Sequence, residues 1–275
     1  MTSQNTEIII EQFTKQAIPF SMMPAHSHEA ALNRMLEMSG VTPDDTVLDV
    51  ACGPGLVAMA FASRAAYVRG IDITPAMIER ARELARQKNI QNVSFEEGDM
   101  SSLPFGDETF AVVVTRYSLH HFQEPATVLN EMTRVAKRGG VVMAVDMVLP
   151  EAKRAFYDRI ERMRDASHVR TLTVEEMQTL ARKAKLSALR TEFYKWEMEL
   201  ETLLKASFPG AGTEELIIKA FHDDVAKDHL GVDVHKKGKR IYFSYPIMIL
   251  AGKKKVEIPA GAYGESTDRL TEDRQ

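Results

Sequence analysis

The sequence predicts an α/β fold in which a mostly parallel sheet is covered by helices on both faces. Two observations lead to this prediction. Short apolar runs alternate with segments of helical periodicity between residues 46 and 147, as expected of strand–helix–strand units. One of these runs, 110–115, is almost wholly apolar, which is typical of a strand buried on both faces.

Five strands and three helices are expected in this region. The expected strands are 46–51, 67–73, 93–97, 110–115 and 141–147, and the expected helices are 59–64, 75–88 and 126–136. Thr74 and Pro75 mark the start of the second helix, because Thr is a favoured N-cap and Pro is favoured at the first helical position. Gly139 and Gly140 indicate a turn before the fifth strand.

The segments on either side are less regular. Residues 7–37 have helical periodicity with an expected break at Pro19 and Pro24, since proline removes a backbone donor. After Pro150 the sequence predicts two amphipathic helices, then β-rich segments separated by a polar helical stretch, then a disordered tail. In chain order these are the helices 151–165 and 173–185, the β-rich segment 189–198, the helical stretch 200–237, the β-rich segment 240–251 and the tail from residue 257.

Composition and charge narrow the classes of partner. Of the 275 residues, 44% are hydrophobic and 27% are charged, which is ordinary for a globular protein, and the net charge is −4. A chain without positive excess is a poor candidate for binding nucleic acid or an anionic membrane surface, because phosphate affinity comes largely from clustered Lys and Arg. No nucleic-acid partner is therefore expected.

Cysteine count and the N-terminus bear on metals and location. Cys52 is the only cysteine, which excludes an intramolecular disulfide, and no Cys/His set has zinc-ligand spacing. His26 and His28 lack a third ligand, so no metal is expected. There is no signal-peptide pattern and no stretch of about 18 apolar residues, so the expected setting is the cytoplasm without a membrane span. The sequence leaves both a monomer and a homo-oligomer open.

The most informative segment is the glycine-containing loop after the first strand, VLDVACGPG at 47–55. Gly53 and Gly55 allow the backbone to approach a ligand closely, and the N–H groups of the following helix would point at it. Residues 53–58 also fit the dinucleotide pattern G-x-G-x-x-A, and a tight turn without any ligand is a further alternative. The loop alone therefore does not identify the ligand.

Two acidic residues near this loop indicate which ligand it binds. Asp72 ends the second strand about 20 residues after the loop, where a carboxylate can accept both ribose hydroxyls of a nucleoside. Asp99 follows the third strand and is expected at the same edge of the sheet, where it can accept from an adenine amino group. Each acid alone is more often a loop or cap residue. A glycine loop and two acids at three successive strand ends predict a nucleoside site.

These segments together resemble the class I S-adenosylmethionine-dependent methyltransferases, in the small-molecule branch that includes the ubiquinone/menaquinone C-methyltransferases. The matching segments, in the family's order, are VLDVACGPG (47–55), GIDIT (70–74), EEGDMSSLPFGDETFAVV (96–113), LHHF (119–122) and RVAKRGG (134–140). Two departures are Ala51, where many members have glycine, and RVAKRGG, where a Leu-x-Pro-Gly-Gly pattern is commoner.

The resemblance implies S-adenosyl-L-methionine as the cofactor and a set of residues that hold it. The loop with Asp49 would hold the methionine part, Asp72 the ribose, and Asp99 with the Met100 backbone the adenine. The complete cofactor set expected from the resemblance is Asp49, Ala51, Gly53, Gly55, Asp72, Ile73, Met77, Gly98, Asp99, Met100 and Arg116. The expected partner is a small-molecule acceptor of the methyl group, with an oxygen, nitrogen or carbon nucleophile.

The resemblance also implies a Rossmann-like, doubly wound seven-stranded sheet whose last strand is antiparallel. We expect one methyltransferase domain over residues 1–255 and a disordered tail over 256–275. Within the domain, an N-terminal helical lid (1–40) precedes the core (41–150), and helical insertions follow at about 150–186 and 200–237. The lid and the insertions would cover the carboxyl edge of the sheet.

Catalytic candidates come from the ends of the fourth and fifth strands. His120 follows the fourth strand and has a pKa suited to a general base, and Asp146 ends the neighbouring strand and would orient it. His121 is a second candidate base. The alternative is that either histidine only hydrogen-bonds loop backbone. Tyr117 and Phe20 are expected to line the acceptor site.

A further polar cluster follows the fifth strand at 161–170. His168 is a third candidate for the proton transfer, and Arg170 could bind a carboxylate or phenolate of the acceptor, as could Arg116. The alternative is that Arg164 and Asp165 form a solvated helix end and His168 is a cap or packing residue.

Rival functions remain open on the sequence. A nicotinamide dehydrogenase would share the fold, but no Tyr-x-x-x-Lys pair occurs and the acid after the third strand would be unexplained. A non-methylating enzyme such as a cyclase, or a binding scaffold, could use the same pocket. An RNA or protein methyltransferase would usually add a basic module, and none is visible.

Overall fold

Eight strands form one sheet in the computed structural model, which describes residues 4–23 and 29–256. The strands are β1 (Thr46–Val50), β2 (Tyr67–Asp72), β3 (Val93–Glu97), β4 (Phe110–Arg116), β5 (Ala136–Met147), β6 (Leu186–Glu199), β7 (His235–Lys237) and β8 (Arg240–Lys254). Seven lie side by side in the order β3-β2-β1-β4-β5-β8-β6, and β7 pairs with β8. Neighbours from β3 to β5 are parallel, whereas β8 is antiparallel to both β5 and β6.

Nine α-helices and one 3-10 turn accompany the sheet in the described residues. The helices are α1 (Gln4–Met22), α2 (Glu29–Ser39), α3 (Leu56–Ala62), α4 (Pro75–Gln87), α5 (Pro125–Val135), α6 (Glu151–Arg164), α7 (Val174–Lys183), α8 (Leu200–Ser207) and α9 (Glu214–Asp224), and the 3-10 turn is Leu119–His121. Helices α3, α4 and α5 connect successive parallel strands, as crossovers between such strands require.

Two hydrophobic clusters pack on opposite faces of the sheet. Successive residues of a strand point to opposite faces, so Val47 belongs to one cluster and Leu48 to the other. The first cluster contains side chains of α2, α3, α4, α6 and α9, and the second contains side chains of α5 and α7. Both faces of the sheet are therefore covered, which explains the near-continuous apolar run of β4.

This architecture confirms the predicted doubly wound sheet with an antiparallel last strand, and it adds one strand. The end of the expected helical stretch 200–237 is instead β7, which forms a hairpin with β8 around Gly238, whose φ is +62°. Strand β5 begins earlier than expected, because Ala136 already pairs with Phe110 of β4, and the register shifts before the next pair, Val112 with Val141.

The expected break at Pro19 is wrong, because α1 continues through this residue to Met22. Pro19 lies in the last turn, so it removes only one helical hydrogen bond, and the carbonyl that loses its donor belongs to the exposed Lys15. Pro24 and the tail from residue 257 lie outside the described residues. No helix in the described ranges has the length and hydropathy needed to cross a membrane.

Candidate functional site

Two adjacent cavities lie at the carboxyl edge of the parallel strands. The large cleft has a volume of about 800 Å³, and the small cavity has a volume of about 110 Å³. Four side chains line both of them and form a shared wall: Phe13, Phe20, Tyr117 and His121. The two cavities therefore adjoin at these four residues.

The glycine loop between β1 and α3 forms one side of the large cleft. Ala51 and Gly53 both line the cleft with left-handed backbones, at φ values of +54° and +51°. Gly55 does not line it, contrary to the expectation that it contacts the cofactor. Its φ is +77°, it caps α3, and a Cβ there would come within 2.6 Å of the Phe95 ring. Glycine at 55 is thus explained by packing.

Asp49 is the penultimate residue of β1, is buried, and lines the large cleft next to this loop. Its Oδ2 accepts a hydrogen bond of 2.9 Å from the backbone N–H of Ala58, in the first turn of α3. Burial raises the pKa of Asp49 to about 7, although the nearby Arg116 acts in the opposite direction. A buried carboxylate of this kind favours a cationic ligand, because a positive charge would stabilise its ionised form.

Asp72 connects the end of β2 to the glycine loop. One carboxylate oxygen accepts from Gly53 N–H at 2.8 Å and the other from Thr74 N–H at 2.9 Å. Burial nevertheless raises its pKa above the usual value for an aspartate. The carboxylate lines the large cleft, and each oxygen keeps a second lone pair that can accept from a ligand hydroxyl.

Asp99 and Met100 lie opposite, after β3. The exposed Asp99 accepts from the backbone N–H and the hydroxyl of Ser101 through Oδ1, at 2.8 and 2.7 Å. The Met100 sulfur contacts the backbone N–H of Ala51 at 3.2 Å, which ties this loop to the glycine loop. The structure brings ten of the eleven expected cofactor residues to the large cleft: Asp49, Ala51, Gly53, Asp72, Ile73, Met77, Gly98, Asp99, Met100 and Arg116.

His120 and Asp146 form a hydrogen-bonded pair in the small cavity. His120 lies in the 3-10 turn after β4, and its Nδ1 is 2.7 Å from Oδ1 of Asp146 at the end of β5. The backbone N–H of Met147 also donates to this carboxylate. Burial lowers the pKa of His120, but the Asp146 carboxylate outweighs it, so the net pKa is above the usual value.

His121 has the opposite electrostatic environment. Burial, together with the neighbouring His120, lowers the pKa of His121 to about 3, so this ring is neutral near pH 7. Its Nδ1 lies 3.0 Å from the hydroxyl and 3.2 Å from the carbonyl oxygen of Ser167. The ring packs on His120 and edge-on against Phe13. These contacts suit a wall residue better than a base.

His168 lines the small cavity and is paired with a carboxylate of its own. Its Nε2 is 2.8 Å from Oδ1 of Asp158 on α6, and the same oxygen accepts from the backbone and hydroxyl of Thr171. The His168 side chain is only 3% exposed. Its ring centroid is 5.5 Å from that of His120. The structure thus brings all three expected catalytic histidines to one cavity.

Arg170, which the sequence suggests for binding the acceptor, lines neither cavity. Its side chain is 39% exposed and its Nη1 bonds Glu176 of α7 at 2.5 Å. The expectation that Arg164 and Asp165 form a solvated helix end is wrong. Both side chains are buried and line the small cavity, because α8 and Ser167 pack over this end of α6.

Tyr117 supports the shared wall from the end of β4. Its backbone is left-handed, with a φ of +57°, which is unusual for an aromatic residue and typical of functional sites. Its hydroxyl is 2.8 Å from the hydroxyl of Tyr194 on β6. The Arg116 guanidinium lies over its ring at 4.9 Å. The ring is thereby fixed between the two cavities.

Sequence reasoning missed several residues of the small cavity. They come from α6, β6, α8 and β8, and they include Tyr157, Glu161, Trp196, Leu203 and Tyr245. No local motif marks them, because each reaches the cavity only through the folding of distant segments. The one available signal was the amphipathic period of α6, which places Tyr157 and Glu161 on the same helix face.

The chain matches a family model described as a methyltransferase domain over residues 42–205. It is 28% identical over 247 residues to the uncharacterized methyltransferase YcgJ of Bacillus subtilis, covering 88% of this chain and 98% of that protein. It is 27% identical over 231 residues to a demethylmenaquinone methyltransferase of Alkalihalophilus pseudofirmus, covering 80% of this chain and 89% of the relative.

Solved structures show the same likeness. The crystal structure of YcgJ superposes with a TM-score of 0.77 at 27% identity, covering 84% of this chain and all of that one. A putative methyltransferase from Bacillus halodurans, BH2331, gives a TM-score of 0.75 at 25% identity, covering 82% of this chain and all of that one.

Fold and site together define a class I methyltransferase of the small-molecule branch. The chain belongs to the methyltransferase-domain family and is an S-adenosylmethionine-dependent enzyme. The large cleft fits this cofactor, because its volume is in the range of small-molecule sites and the buried acids Asp49 and Asp72 favour a cation such as a sulfonium.

Proposed function

We propose that the chain transfers the methyl group of S-adenosyl-L-methionine to a small organic acceptor held in the small cavity, with His120 removing a proton from the acceptor. The observation that carries this proposal is the arrangement of the two cavities. A His–Asp pair lines the small cavity, and that cavity adjoins the large cleft at Phe13, Phe20, Tyr117 and His121, which line both.

In the large cleft, the residues would hold the cofactor as follows. The carboxylate of Asp49 would lie near the positively charged methionine part, beside the left-handed backbone of Ala51 and Gly53. Asp72 would accept hydrogen bonds from the ribose hydroxyls through its remaining lone pairs, and Asp99 would accept from the adenine amino group. When bound, the cofactor supplies an activated methyl group on a sulfonium.

On the acceptor side, the chain's own residues handle one proton. Asp146 accepts from the Nδ1–H of His120, which leaves Nε2 as the basic nitrogen and stabilises the imidazolium once the proton has moved. The raised pKa makes His120 a stronger base than an ordinary histidine. His121 cannot share this role near pH 7, since its low pKa makes it a poor proton acceptor.

The segments around the small cavity would act as a lid on a single methyltransferase domain of residues 1–255. Gln16 and Met23 from the N-terminal segment, Tyr157 from α6 and Ala206 from α8 all line the cavity. These segments would close over a bound acceptor and exclude water from the methyl transfer.

The names of two relatives suggest which atom of the acceptor receives the methyl group. One is named demethylmenaquinone methyltransferase and another erythromycin 3''-O-methyltransferase, the latter 33% identical over 127 residues, or 44% of this chain. We infer a hydroxylated organic molecule that is methylated on oxygen or on an adjacent activated carbon. Either reaction benefits from removal of a hydroxyl proton by His120.

The experiment is a screen with methyl-labelled cofactor against phenols, hydroquinones, amines and carboxylates. We expect label in one hydroxylated class, with an equal amount of S-adenosylhomocysteine released. The matched control is His120→Gln, which should bind the cofactor normally but transfer label slowly. Binding of the cofactor without label transfer to any class would instead support a scaffold or a non-methylating enzyme.

A further inference from the structure

The small cavity contains more negative than positive groups. Three carboxylates line it, those of Asp146, Glu161 and Asp165, against two basic groups, the guanidinium of Arg164 and the imidazole of His120, whose pKa is raised. Burial alone would raise the pKa of each carboxyl group. Hydrogen bonds and nearby cations more than offset this, and all three pKa values are below the usual range. The carboxylates are therefore ionised near pH 7.

The guanidinium of Arg164 is already committed to other groups. Its Nε bonds Glu161 at 3.0 Å, its Nη2 bonds the same carboxylate oxygen, and its Nη1 bonds the hydroxyl of Ser207 at 2.9 Å. Arg170, the cation that the sequence suggests for an anionic acceptor, is bonded to Glu176 outside the cavity. An anion entering the cavity would therefore find three carboxylates and a cation that is already neutralised.

His168 adds a hydrogen-bond acceptor to this cavity. Asp158 accepts three hydrogen bonds and its pKa is lowered, burial being outweighed by His168 and Thr171, so it stays a carboxylate and takes the Nε2–H of His168. In this tautomer Nδ1 carries a lone pair. Among the described residues this buried atom has no hydrogen-bond partner, which is unfavourable until a donor reaches it.

The Nε2 atom of neutral His120 is likewise a hydrogen-bond acceptor. Because Nδ1 faces Asp146, Nε2 presents a lone pair until it is protonated. Thus the neutral rings of His120 and His168, with centroids 5.5 Å apart, each offer a hydrogen-bond acceptor. The groups of the cavity that still need a partner select hydrogen-bond donors.

We propose that the small cavity takes an uncharged acceptor whose O–H or N–H groups enter protonated, one of them donating to His120 and another to His168, and that it rejects molecules bearing a carboxylate or a phosphate. This proposal rests on the proposed function, since it concerns the molecule that receives the methyl group. It also explains why a base is needed, because an acceptor that is already an anion is excluded and the proton must be removed inside the cavity.

The chain contains a built-in reporter for testing this. Trp196 is its only tryptophan and lines the small cavity, so tryptophan fluorescence detects binding there. The full-length protein, saturated with S-adenosylhomocysteine, would be titrated with three matched probes. These are 4-hydroxybenzyl alcohol as the uncharged donor, 4-hydroxybenzoate as the anion, and the dimethyl ether of the first probe, which has no donor.

We expect the uncharged donor to bind at least about tenfold more tightly than either of the other probes, which corresponds to about 1.4 kcal/mol. In His168→Phe, the donor probe should lose much of its advantage over the ether. Equal or tighter binding of 4-hydroxybenzoate by the wild-type protein would overturn the proposal, and so would failure of the uncharged donor to bind at all.

A gain of function provides the sharper test. Glu161→Gln removes the carboxylate that is hydrogen-bonded to Arg164 and leaves only Asp165, at 3.6 Å, beside it, so the anionic probe should bind about tenfold more tightly than it does to the wild-type protein. The matched control is Glu131→Gln, which breaks a similar i,i+3 pair with Arg134 on α5, away from both cavities, and should change nothing. A folded Glu161→Gln variant that still rejects the anion contradicts the proposal.

These measurements separate this proposal from the proposed function. They record binding in the presence of the spent cofactor and require no turnover. An absence of methyl transfer would therefore remove the proposed function while the preference for uncharged donors could still be measured. Conversely, methyl transfer to a carboxylate-bearing acceptor would overturn the charge preference alone.

Discussion

The large cleft and the small cavity are neighbours, yet they are assembled in different ways. Most of the large cleft comes from successive strand ends between Asp49 and Val128, whereas the small cavity combines residues from Phe13 to Ile247. In the first, local chain geometry places each group. In the second, distant segments must fold against one another before any site exists.

Their electrostatics differ as well. Asp49 and Asp72 in the large cleft are buried carboxyl groups with raised pKa values, which a cationic ligand would stabilise. The carboxylates of the small cavity have lowered pKa values, because each already has a partner. The large cleft would thus stabilise a cationic ligand, whereas the carboxylates of the small cavity are ionised and already bonded to protein groups. Variants on the two sides should therefore separate cofactor binding from acceptor chemistry.

The largest expected effect belongs to His120 in the small cavity. His120→Gln should lower kcat by about 10²–10⁴-fold, because it removes the proton acceptor, while the cofactor Kd stays nearly unchanged. In the wild-type protein, turnover should fall as the pH drops below the raised pKa of His120, since the protonated ring cannot accept a proton. Steady-state kinetics and calorimetry measure both quantities. Normal turnover in the variant would point to His168 or to an acceptor that arrives deprotonated.

The next effect belongs to the large cleft. Asp72→Ala should weaken cofactor binding by about 1.5–3 kcal/mol, because it removes a charged hydrogen-bond acceptor, and kcat at saturating cofactor should change little. The variant also loses the hydrogen bonds from Gly53 and Thr74, so its melting temperature is a necessary control. Unchanged affinity in the folded variant would remove Asp72 from the cofactor site.

A smaller effect is expected from the protonation of Asp49. Its pKa of about 7 means that the free carboxyl group is mostly protonated at pH 6 and mostly ionised at pH 8. A cationic cofactor favours the ionised form, so its Kd should rise about tenfold from pH 8 to pH 6, with uptake of the released proton by the buffer. Calorimetry in two buffers measures this. Asp49→Asn should abolish the pH dependence, and persistence of the slope would assign it to another group.

The smallest effect concerns the lid. Gln12 and Gln16 of α1 donate to the carbonyl of Ser207 at the end of α8, at 2.8 and 3.1 Å. Replacing both with Ala should raise the acceptor KM by about three- to tenfold, because each net hydrogen bond contributes about 0.5–1.5 kcal/mol, and should leave the cofactor Kd unchanged. Hydrogen exchange should show α1 and α8 protected only when both ligands are present. If the exchange rates of α1 and α8 do not change when ligands bind, these helices contribute only to stability.

The same contrast explains what the sequence can predict. Asp49, Asp72 and Asp99 lie in short motifs that end parallel strands, and the topology brings all such ends to one edge, so motif and edge suffice to place them. His120 and Asp146 were predictable for the same reason. Tyr157, Trp196 and Tyr245 were not, since their meeting depends on how the helices after β5 and the antiparallel strand β8 pack, which no local pattern encodes. Arg170 lies outside both cavities, because its guanidinium is bonded to the carboxylate of Glu176.

Two side-chain hydrogen bonds to the Ser207 carbonyl connect α1 to α8, and both helices contribute residues to the small cavity. Met23, Leu203 and Ala206 line the small cavity but not the large cleft. A combinatorial library restricted to these three positions would therefore diversify the accepted molecules while every clone kept its ability to load the methyl donor. Acceptor specificity could thus be engineered in this region without altering the cofactor site.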